Sequence, residues 1–588
     1  MSKLGDWLDE RLDHRRRIDA ALAHPLAGGP SWAAAMAWTL GMLLFVLVVT
    51  GFALQTTYVA GETTAWASVY YTQNVAAHGW LLRGIHHFSG EAMLVLAALH
   101  VATLAIQGTA RRPRELAVFA SLALIAVIAA ACITGEALPW DQQGFWARKV
   151  ELAVAGGMPG GSFLARLVTG DGSLGPLALT RFHALHVILL PLAMALLLRL
   201  RSRAETTYAR AALARKSVTV AYFPRQAARD MALALSVMLA VSWITYRAHG
   251  APLDGPAEPR SDFPARPEWY LLWLFELRHH LKGALELPGT ALTPIVIGVG
   301  FAALPLLSRK TLGPSRAGVA LVVLSAGLIG GMTFVALRRD ARDEKFHVAV
   351  AKSDLRTIAA KRVAAAGVPP DGPLAMLARD PELRGEALFE KHCATCHVLG
   401  DLGDAKKPAA PTLDGFGTAT WILATLHDPD AIDRFGNTPY LGEMPSQDVP
   451  PKEDAERFRP LSKDEANAVA AFLVAQGDDE QLEQTDAATL SVGEKIVSER
   501  CTSCHLLHGT GDDGGEGLAP ELAGYGSLVW VRAQIDNPSS KATYRENALD
   551  PTRKGHMPAF ELIDGLTAAD RDILARWTRA RGRGLPFK

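Results

Sequence analysis

The most regular feature of the chain is a series of long apolar stretches in its first 340 residues. A helix that crosses a hydrocarbon core of roughly 30 Å needs about 20 residues. Seven stretches reach that length, near 33–55, 84–107, 115–135, 180–200, 228–247, 289–307 and 317–337. Short runs at helical spacing follow in the remaining sequence, as in soluble helices. The pattern predicts an all-α protein, with seven transmembrane helices followed by small α-helical domains.

Charged residues add an orientation to this picture. Residues 1–30 alternate charged and apolar positions at helical spacing, which predicts an amphipathic surface helix and no cleavable signal peptide. Arginine and lysine cluster beyond alternate ends of the spans, at 11–17, 111–114, 199–229 and 309–310. The positive-inside rule assigns these clusters, and the N-terminus, to the cytoplasm. Because the number of spans is odd, everything after residue 340 is expected on the opposite face.

The exported half divides further by composition. Residues 341–375 are charged and rich in alanine, with Pro369 and Pro370 near the end, which predicts a partly helical linker. Two modules follow, over 376–480 and 481–588. The chain has 60 basic and 60 acidic residues, so its balanced charge gives no argument for nucleic-acid binding.

Each soluble module contains one C-x-x-C-H motif. CATCH spans Cys393–His397 and CTSCH spans Cys501–His505, each after a short amphipathic stretch. This motif attaches c-type haem through two thioethers, and its histidine reaches the iron. A zinc ion is the alternative to haem at these motifs, but no fourth metal-binding residue lies at zinc-finger spacing. The predicted haem-binding residues are Cys393, Cys396, His397, Cys501, Cys504 and His505.

A sixth iron ligand is expected for each c-type haem, commonly a methionine from a later loop. Met444 and Met557 each precede a proline and a predicted terminal helix. Core methionines are the alternative interpretation, because thioethers often fill gaps in apolar cores. His427, His508 and His556 are rival sixth ligands.

Histidines within the apolar stretches are the next candidates. His86 and His100 are fourteen residues apart on the second span, about 21 Å and just under four turns, so they share one face. The fourth span contributes His186, with His183 one turn earlier. Hydrogen-bonded core histidines are the alternative, since polar residues within membranes can pair with one another.

The sequence around these histidines resembles a known family. HGWLLRGIHHFSGEAMLVLAALH, RRPREL, TGEALPWDQQGFWARKV and LTRFHALHVILLP are similar to cytochrome b of the quinol-oxidising bc complexes, closest to the chloroplast type. PEWY, at Pro267–Tyr270, resembles the family's signature in the quinol-oxidation pocket. The resemblance covers residues 1 to about 340. It implies a four-helix haem-binding domain over 31–215 and a three-helix domain over 216–340, ahead of the two cytochrome c domains.

The resemblance implies two b haems, each held by two histidines, one near each membrane face. His86 and His186 match the ligands of the outer haem, and Arg83 matches the residue beside its propionate. Gly51 and Gly135 match the small residues that let this haem approach the helix backbones.

The inner haem site departs from the family pattern. His100 matches one ligand, but Leu200 and Arg201 occupy the place of the second, and a protonated guanidinium offers iron no lone pair. Ala37 and Ser121 replace the matching glycines. We hypothesise that the inner haem is absent, or is five-coordinate on His100, which puts an ordinary Q-cycle in doubt.

The implied activity is quinol oxidation at the outer face, as part of a quinol–cytochrome c reductase. Glu268 and Tyr270 are the predicted catalytic residues, with Pro267, Trp269 and Trp140 in the quinol pocket. Glu268 is expected to accept a quinol proton, because a poorly hydrated carboxylate can titrate near neutral pH. A structural carboxylate in an ion-pair network is the alternative.

The partners follow from what the sequence lacks. No further cysteine and histidine set could hold an iron–sulfur cluster, so a separate Rieske iron–sulfur protein is expected. The two c modules would replace a cytochrome c1 or f subunit and pass electrons to a soluble cytochrome c or a terminal oxidase. We expect a dimeric complex in a bacterial plasma membrane, with the c modules outside, where haem attachment takes place. Rival functions are a b-haem anchor that reduces quinone from an outside donor, and a non-catalytic electron wire.

Overall fold

A computed structural model describes the chain apart from residues 1–2, 28, 111–113, 157–159, 171–173, 215–218, 262, 308–314, 450–458, 512–518, 541–542, 545–556, 586 and 588. It divides into two compact units, Met1–Met376 and Leu377–Lys588. Within the described residues, helices predominate and a single two-stranded sheet is present. The predicted all-α class is confirmed.

The elements up to Arg379 are, in chain order, α1 (Lys3–Leu12), α2 (His14–Leu22), β1 (Pro25–Ala27), α3 (Trp32–Gln55), α4 (Ala65–Asn74), α5 (Gly79–Ile106), α6 (Glu115–Ala137), α7 (Gln142–Gly156), α8 (Gly161–Thr169), α9 (Pro176–Ala184), α10 (Leu190–Ala214), β2 (Thr219–Ala221), α11 (Arg225–Ala248), α12 (Leu272–His280), α13 (Glu286–Leu307), α14 (Arg316–Asp340), α15 (Glu344–Ala364) and α16 (Pro373–Arg379). A π-helical turn, Leu185–Leu189, joins α9 to α10. Among the described residues, seven helical segments are long and apolar enough to cross a membrane: α3, α5, α6, α9 to α10, α11, α13 and α14. They correspond to the seven predicted spans.

The N-terminal segment is less regular than its charge pattern predicts. In place of one amphipathic helix, α1 and α2 meet at Asp13, whose φ of 48° lies in the left-handed region. The carboxylate of Asp9 accepts a hydrogen bond from the backbone N–H of Arg15 at 2.8 Å, which closes this corner. Residues Pro25–Ala27 then pair antiparallel with Thr219–Ala221. The segment is thus tied to the chain that leads into α11.

Close contacts between helices hold the bundle together. Helix α3 packs on α5 and α11, and α6 packs on α5, α10 and α13. A Cβ on Gly318 of α14 would lie 2.1 Å from the carbonyl oxygen of Ala105, and one on Gly84 would lie 2.3 Å from Thr245. Small residues allow such approaches between membrane helices, where packing and not the hydrophobic effect drives association.

The segment predicted as a linker contains a long helix that is bonded to the first unit. The hydroxyl of Tyr70 donates to the carbonyl oxygen of Lys361 on α15 at 3.1 Å. The hydroxyl of Thr357, also on α15, accepts from the backbone N–H of Gly255 at 2.9 Å. These bonds fix α15 against α4 and against the loop that follows α11.

The second unit contains α17 (Pro381–His392), α18 (Ala419–His427), α19 (Lys463–Gln476), α20 (Asp479–Gln484), α21 (Ala487–Ile496), α22 (Leu528–Asp536) and α23 (Ala568–Arg583). Each C-x-x-C-H motif follows an opening helix, α17 or α21, and each repeat closes with a longer helix, α19 or α23. Both closing helices begin with a reciprocal capping box, at Ser462 with Glu465 and at Thr567 with Asp570.

The two repeats exchange their helices. Opening helix α17 packs on α23, the closing helix of the second repeat, whereas α21 packs on α19, the closing helix of the first. A Cβ on Gly385 of α17 would lie 2.5 Å from Cβ of Trp577. A Cβ on Gly493 of α21 would lie 2.7 Å from Cβ of Phe472. Both crossings therefore depend on a glycine in one repeat and an aromatic residue in the other.

Equivalent residues of the two repeats also meet each other. The rings of Phe416 and Tyr525 have centroids 5.6 Å apart, and a Cβ on Gly526 would lie 3.6 Å from Cα of Gly417. Contacts between equivalent positions are the mark of a two-fold interface. One apolar core contains side chains of both repeats. The boundary between the two c modules stays a prediction, because the repeats share their core.

Truncating Trp577 tests the exchange of helices. We expect Trp577→Ala in the full chain to lower the stability of the second unit by about 3–5 kcal/mol, as for other buried aromatic residues. Hydrogen exchange should accelerate in Pro381–His392, because α17 loses its partner. The control is Leu562→Ala in the same repeat, since Leu562 is 80% exposed. Loss of protection confined to residues 487–583 would contradict the exchange.

Candidate functional site

Two histidines from different spans face each other inside the first unit. His86 lies on α5, and His186 lies in the π-helical turn of the fourth span. Their ring centroids are 6.1 Å apart, with the ring planes at 67°. Such π turns are frequent at functional sites, where they interrupt the regular helix. The fold thus brings together the two residues that the sequence assigned to one haem.

The Nδ1 atom of each ring is bonded to a neighbouring helix. Nδ1 of His186 lies 3.0 Å from the carbonyl oxygen of Ala131, and Nδ1 of His86 lies 2.9 Å from the hydroxyl of Thr50. A carbonyl can only accept, so Nδ1 of His186 donates, and the same tautomer suits His86. A ring that donates from Nδ1 keeps its lone pair on Nε2, the form that binds a metal.

Two glycines leave room for these rings. A Cβ on Gly135 would lie 2.7 Å from Cε1 of His186, and one on Gly51 would lie 3.0 Å from Cε1 of His86. Each imidazole therefore lies directly against the backbone of a facing helix, α6 or α3. The two glycines have the close contacts expected of positions beside a cofactor.

The geometry fits a haem held by two histidines. An iron bonded to both rings at about 2 Å, the usual metal–imidazole distance, would leave the centroids about 6 Å apart. The observed separation agrees with this value. The rings border a cavity of about 360 Å³, largely lined by apolar side chains such as Met93 and Ile128. This volume is in the range of cofactor and ligand sites.

Arg83 lines the same cavity and anchors a loop beside it. Its guanidinium donates to the carbonyl oxygens of Ala251 and Pro252 at 2.8 and 2.6 Å, and to the side chain of Gln73. The cation is thus held at one end of the His86 and His186 cavity. This position suits an anionic group such as a haem propionate.

The surroundings of His100 do not fit a haem held by two histidines. His100 is 1% exposed, and neither ring nitrogen makes a hydrogen bond within the described residues, although the Ala33 carbonyl lies nearby. Leu200 is 40% exposed, whereas Arg201 is 8% exposed and close enough for its charge to act on the imidazole. The buried neighbour of His100 at the expected ligand position is therefore a guanidinium, which cannot ligate iron.

The glycine positions at this end are also filled. Ser121 is buried, and its hydroxyl donates to the carbonyl oxygen of Ala117 at 2.8 Å. Ala37 lies on α3, one helical turn from the buried Leu40. Neither residue leaves the open backbone that Gly51 and Gly135 provide at the other site.

Glu268 lies just before a short 3-10 turn, Trp269–Leu271. Its carboxylate accepts a hydrogen bond from the side-chain amide of Gln143 at 3.3 Å, and the same amide donates to the carbonyl oxygen of Arg266 at 2.8 Å. Burial raises the pKa of Glu268 to about 7, and the nearby charge of Glu136 adds to this shift. A carboxylate with this pKa can exchange a proton near neutral pH.

The other residues predicted for the quinol pocket are placed differently. Tyr270 lines the cavity beside the histidines, and its buried hydroxyl has no hydrogen-bond partner among the described residues. The indole of Trp269 donates to Glu91 at 2.7 Å. Pro267 is half-buried next to Glu268. Trp140, with φ of 51°, instead packs in a separate cluster against Phe145.

The sequence analysis did not name His87, Glu91 and Glu136, which are among the described residues that line this cavity. The available signal was their position within the second and third spans, because ionisable residues inside membranes are functional candidates by default. His183, which the analysis named beside His186, has its Nε2 2.9 Å from the amide oxygen of Gln55. It is a hydrogen-bonded histidine outside the facing pair.

The two C-x-x-C-H motifs have the same local structure. Nδ1 of His397 lies 2.8 Å from the carbonyl oxygen of Pro411, and Nδ1 of His505 lies 2.9 Å from that of Pro520. Each imidazole thus donates from Nδ1 and keeps Nε2 for iron. Burial lowers the pKa of both rings, so the neutral form that binds a metal prevails.

The motif cysteines suit attachment to a group at the surface of the core. Cys393 is buried and Cys501 is half-buried, whereas Cys396 and Cys504 are exposed. Each motif thus presents one thiol toward the apolar core and one toward solvent. A haem bound through both sulfurs would lie at this edge.

The two candidate methionines contact the same apolar core as the motifs. Met444 and Met557 are partly buried against it, and the sulfur of Met557 accepts from the amide of Gln534 at 3.7 Å. The rivals His427 and His508 are exposed, and His427 is bonded to Asp448. His556 lies outside the described residues. Burial favours the methionines as sixth ligands.

Comparisons with known proteins match separate regions of the chain to two families. A family model described as Cytochrome b/b6/petB matches residues 31–202, and one described as Cytochrome c matches residues 383–476 and 490–580. Among solved structures, a chain of a hyperthermophilic respiratory Complex III is 18% identical, with a TM-score of 0.48, over 60% of this chain and 98% of that chain. The two families imply haem b in the first region and haem c in the second.

Adding a methyl group at Gly135 tests the site of the facing histidines. We expect Gly135→Ala to lower the b-haem content, because the new Cβ would displace the ring of His186. The measurement is the ratio of b to c haems by pyridine haemochrome spectra. Gly327→Ala on α14 is the matched control, since a Cβ there meets nothing within 4 Å. An unchanged ratio in Gly135→Ala would contradict the assignment.

Proposed function

We propose that the chain is the quinol-oxidising subunit of a bc-type quinol–cytochrome c oxidoreductase. Residues 31–202 match the cytochrome b/b6 family, and residues 383–476 and 490–580 match the cytochrome c family, so the chain is a membrane electron-transfer protein. In this function, the b haem and the c haems supply one-electron acceptors, and the residues of the chain bind the quinol and take its protons.

One observation carries the proposal. The cavity bordered by His86 and His186 is also lined by Tyr270 of the PEWY segment. A quinol beside Tyr270 would therefore lie next to the haem ligands, without a protein layer between them. An anchor that accepts electrons from an outside donor, or a simple electron wire, has no need of this arrangement.

Glu268 is the proposed proton acceptor at the PEWY segment. Its pKa of about 7 lets it take a proton from a quinol hydroxyl and later release it to water. The amide of Gln143 holds the carboxylate in place at 3.3 Å. Tyr270 has a buried hydroxyl without a hydrogen-bond partner among the described residues, and this hydroxyl would donate to a quinol oxygen.

The second electron of the quinol requires another acceptor. We assign this role to a separate Rieske iron–sulfur protein, because this sequence has a single cysteine, Cys132, outside the two motifs. The c modules, on the outer side of a bacterial plasma membrane, would carry electrons onward to a soluble cytochrome c or a terminal oxidase. A dimeric complex is part of the same proposal.

We further propose that the chain carries one b haem. The His86 and His186 pair fits a haem, whereas the fourth span carries the buried Arg201 at the position of a second ligand for His100, and its charge acts on that imidazole. Electrons would then leave by the side of the c modules, without return to quinone through a second b haem.

Replacing the proposed acid tests quinol oxidation. Glu268→Gln should slow turnover at least about tenfold, in keeping with the usual contribution of general base catalysis. The wild-type rate should rise as the pH passes about 7, where Glu268 ionises, and the variant should lose this rise. Glu258→Gln is the control, because Glu258 lies exposed on the same loop. Equal rates with intact haem would remove the role of Glu268.

A haem count tests the proposed single b haem. We expect one b and two c haems per wild-type chain by pyridine haemochrome spectra, consistent with one facing histidine pair and two motifs. Arg201→His, combined with Ala37→Gly and Ser121→Gly, should add a second low-spin b haem. Leu200→His on the same glycine background is the control, since Leu200 is 40% exposed. Two b haems in the wild type would overturn the proposal.

A further inference from the structure

The cavity of the facing histidines is lined by two carboxylates that the proposed function does not use. They are Glu91 on α5 and Glu136 on α6, and His87 lies between them. Burying such groups in a membrane bundle is costly, and they usually mark a path for protons or substrates. Glu268, in contrast, is not among the described residues that line this cavity.

A chain of contacts joins these residues to the PEWY segment. Nδ1 of His87 lies 2.9 Å from Oε1 of Glu136, and Nε2 of His87 lies 4.0 Å from Oε1 of Glu91. The same oxygen of Glu91 accepts from the indole of Trp269 at 2.7 Å. The group therefore connects α5, α6 and the loop that carries Glu268.

The side chains of His87 and Glu136 line the cavity. The side chains of His87 and Glu136 are 17% and 24% exposed, and both lie on the cavity wall. An ionised Glu136 can only accept, so His87 donates from Nδ1 to Oε1. This bond orients the carboxylate of Glu136, which lines the cavity.

We propose that Glu136, positioned by His87, is the second proton acceptor of the quinol reaction, on the side of the His86 and His186 pair. The proposal rests on the proposed function and assigns Glu268 and Glu136 to different quinol hydroxyls. Glu136 is a catalytic residue in this scheme, and His87 is a positioning residue.

The reaction balances with these two acceptors. The quinol loses both O–H bonds, one proton going to the carboxylate of Glu136 and the other to that of Glu268. A b haem held by His86 and His186 and the iron–sulfur partner would each take one electron, and the product would be the quinone. Without Glu136, the hydroxyl that faces the histidine pair would have to release its proton to a more distant group.

Single-turnover kinetics of the full chain test the role of Glu136. Anaerobic mixing with a short-chain benzoquinol should reduce the b haem of Glu136→Gln at least about tenfold more slowly than that of the wild type. The quinol concentration at half-maximal rate should stay within about twofold, because the amide keeps the size of the side chain. Glu115→Gln is the matched control, with the same substitution at the first residue of α6.

Two variants of His87 separate positioning from mere packing. His87→Asn keeps an N–H donor near the place of Nδ1 and should retain most of the rate. His87→Phe keeps the ring but removes the donor, so it should be as slow as Glu136→Gln. The spectrum and midpoint potential of the b haem are recorded for both, and all rates are expressed per b haem.

The outcomes distinguish this inference from the function on which it rests. A wild-type b haem that no quinol reduces would overturn the proposed function itself. Rapid reduction in both the wild type and Glu136→Gln would leave that function in place and remove Glu136 from it. If Glu136→Gln loses haem, Glu136→Asp decides, since it keeps the acid and must react within about threefold of the wild type; a slower Asp variant with intact haem overturns the proposal.

Discussion

The structure of the first unit depends on the separation of two imidazoles. His86 and His186 belong to α5 and to the π-helical turn of the fourth span, but each is held by an oxygen of a third or fourth helix, Thr50 on α3 and Ala131 on α6. Residues of four spans therefore determine the distance of 6.1 Å between the two ring centroids. Any shift between them would alter the gap that an iron atom has to fill, so the packing of the bundle and the binding of the cofactor constrain each other.

The same constraint explains the contrast between the two ends of the second span. At His86, both glycines and a second histidine provide space and a ligand. At His100, the corresponding positions hold Ala37, Ser121 and the buried Arg201. A guanidinium inside the bundle is expensive to bury, and the imidazole beside it has no hydrogen bond among the described residues. The chain thus keeps one end of the bundle suited to a cofactor and the other end suited to a fixed charge.

Much of this arrangement could be predicted from local sequence. The spans follow from apolar length alone, and the C-x-x-C-H motifs determine their own turn and ligands within five residues. Contacts between distant residues were beyond reach: nothing in TGEALPW indicates that Glu136 bonds to His87 on another helix. The sequence also predicted that Trp140 lies in one pocket with the PEWY segment. The left-handed backbone at Trp140 instead directs its indole into a different cluster.

The sequence did not predict which helices pack together in the second unit. Phe472 on α19 and Trp577 on α23 are similar apolar partners for an opening helix, and hydrophobic periodicity does not distinguish between them. The choice has a consequence for how the protein is made. Synthesis runs from the first repeat to the second, and the helix on which α17 packs is α23, at Ala568–Arg583. The pocket around CATCH therefore stays open until α23 has left the ribosome, so the first haem site to be synthesised is completed together with the second. A frameshift or proteolytic cut within Ala568–Arg583 would then disable both haem sites, although CATCH was translated long before it.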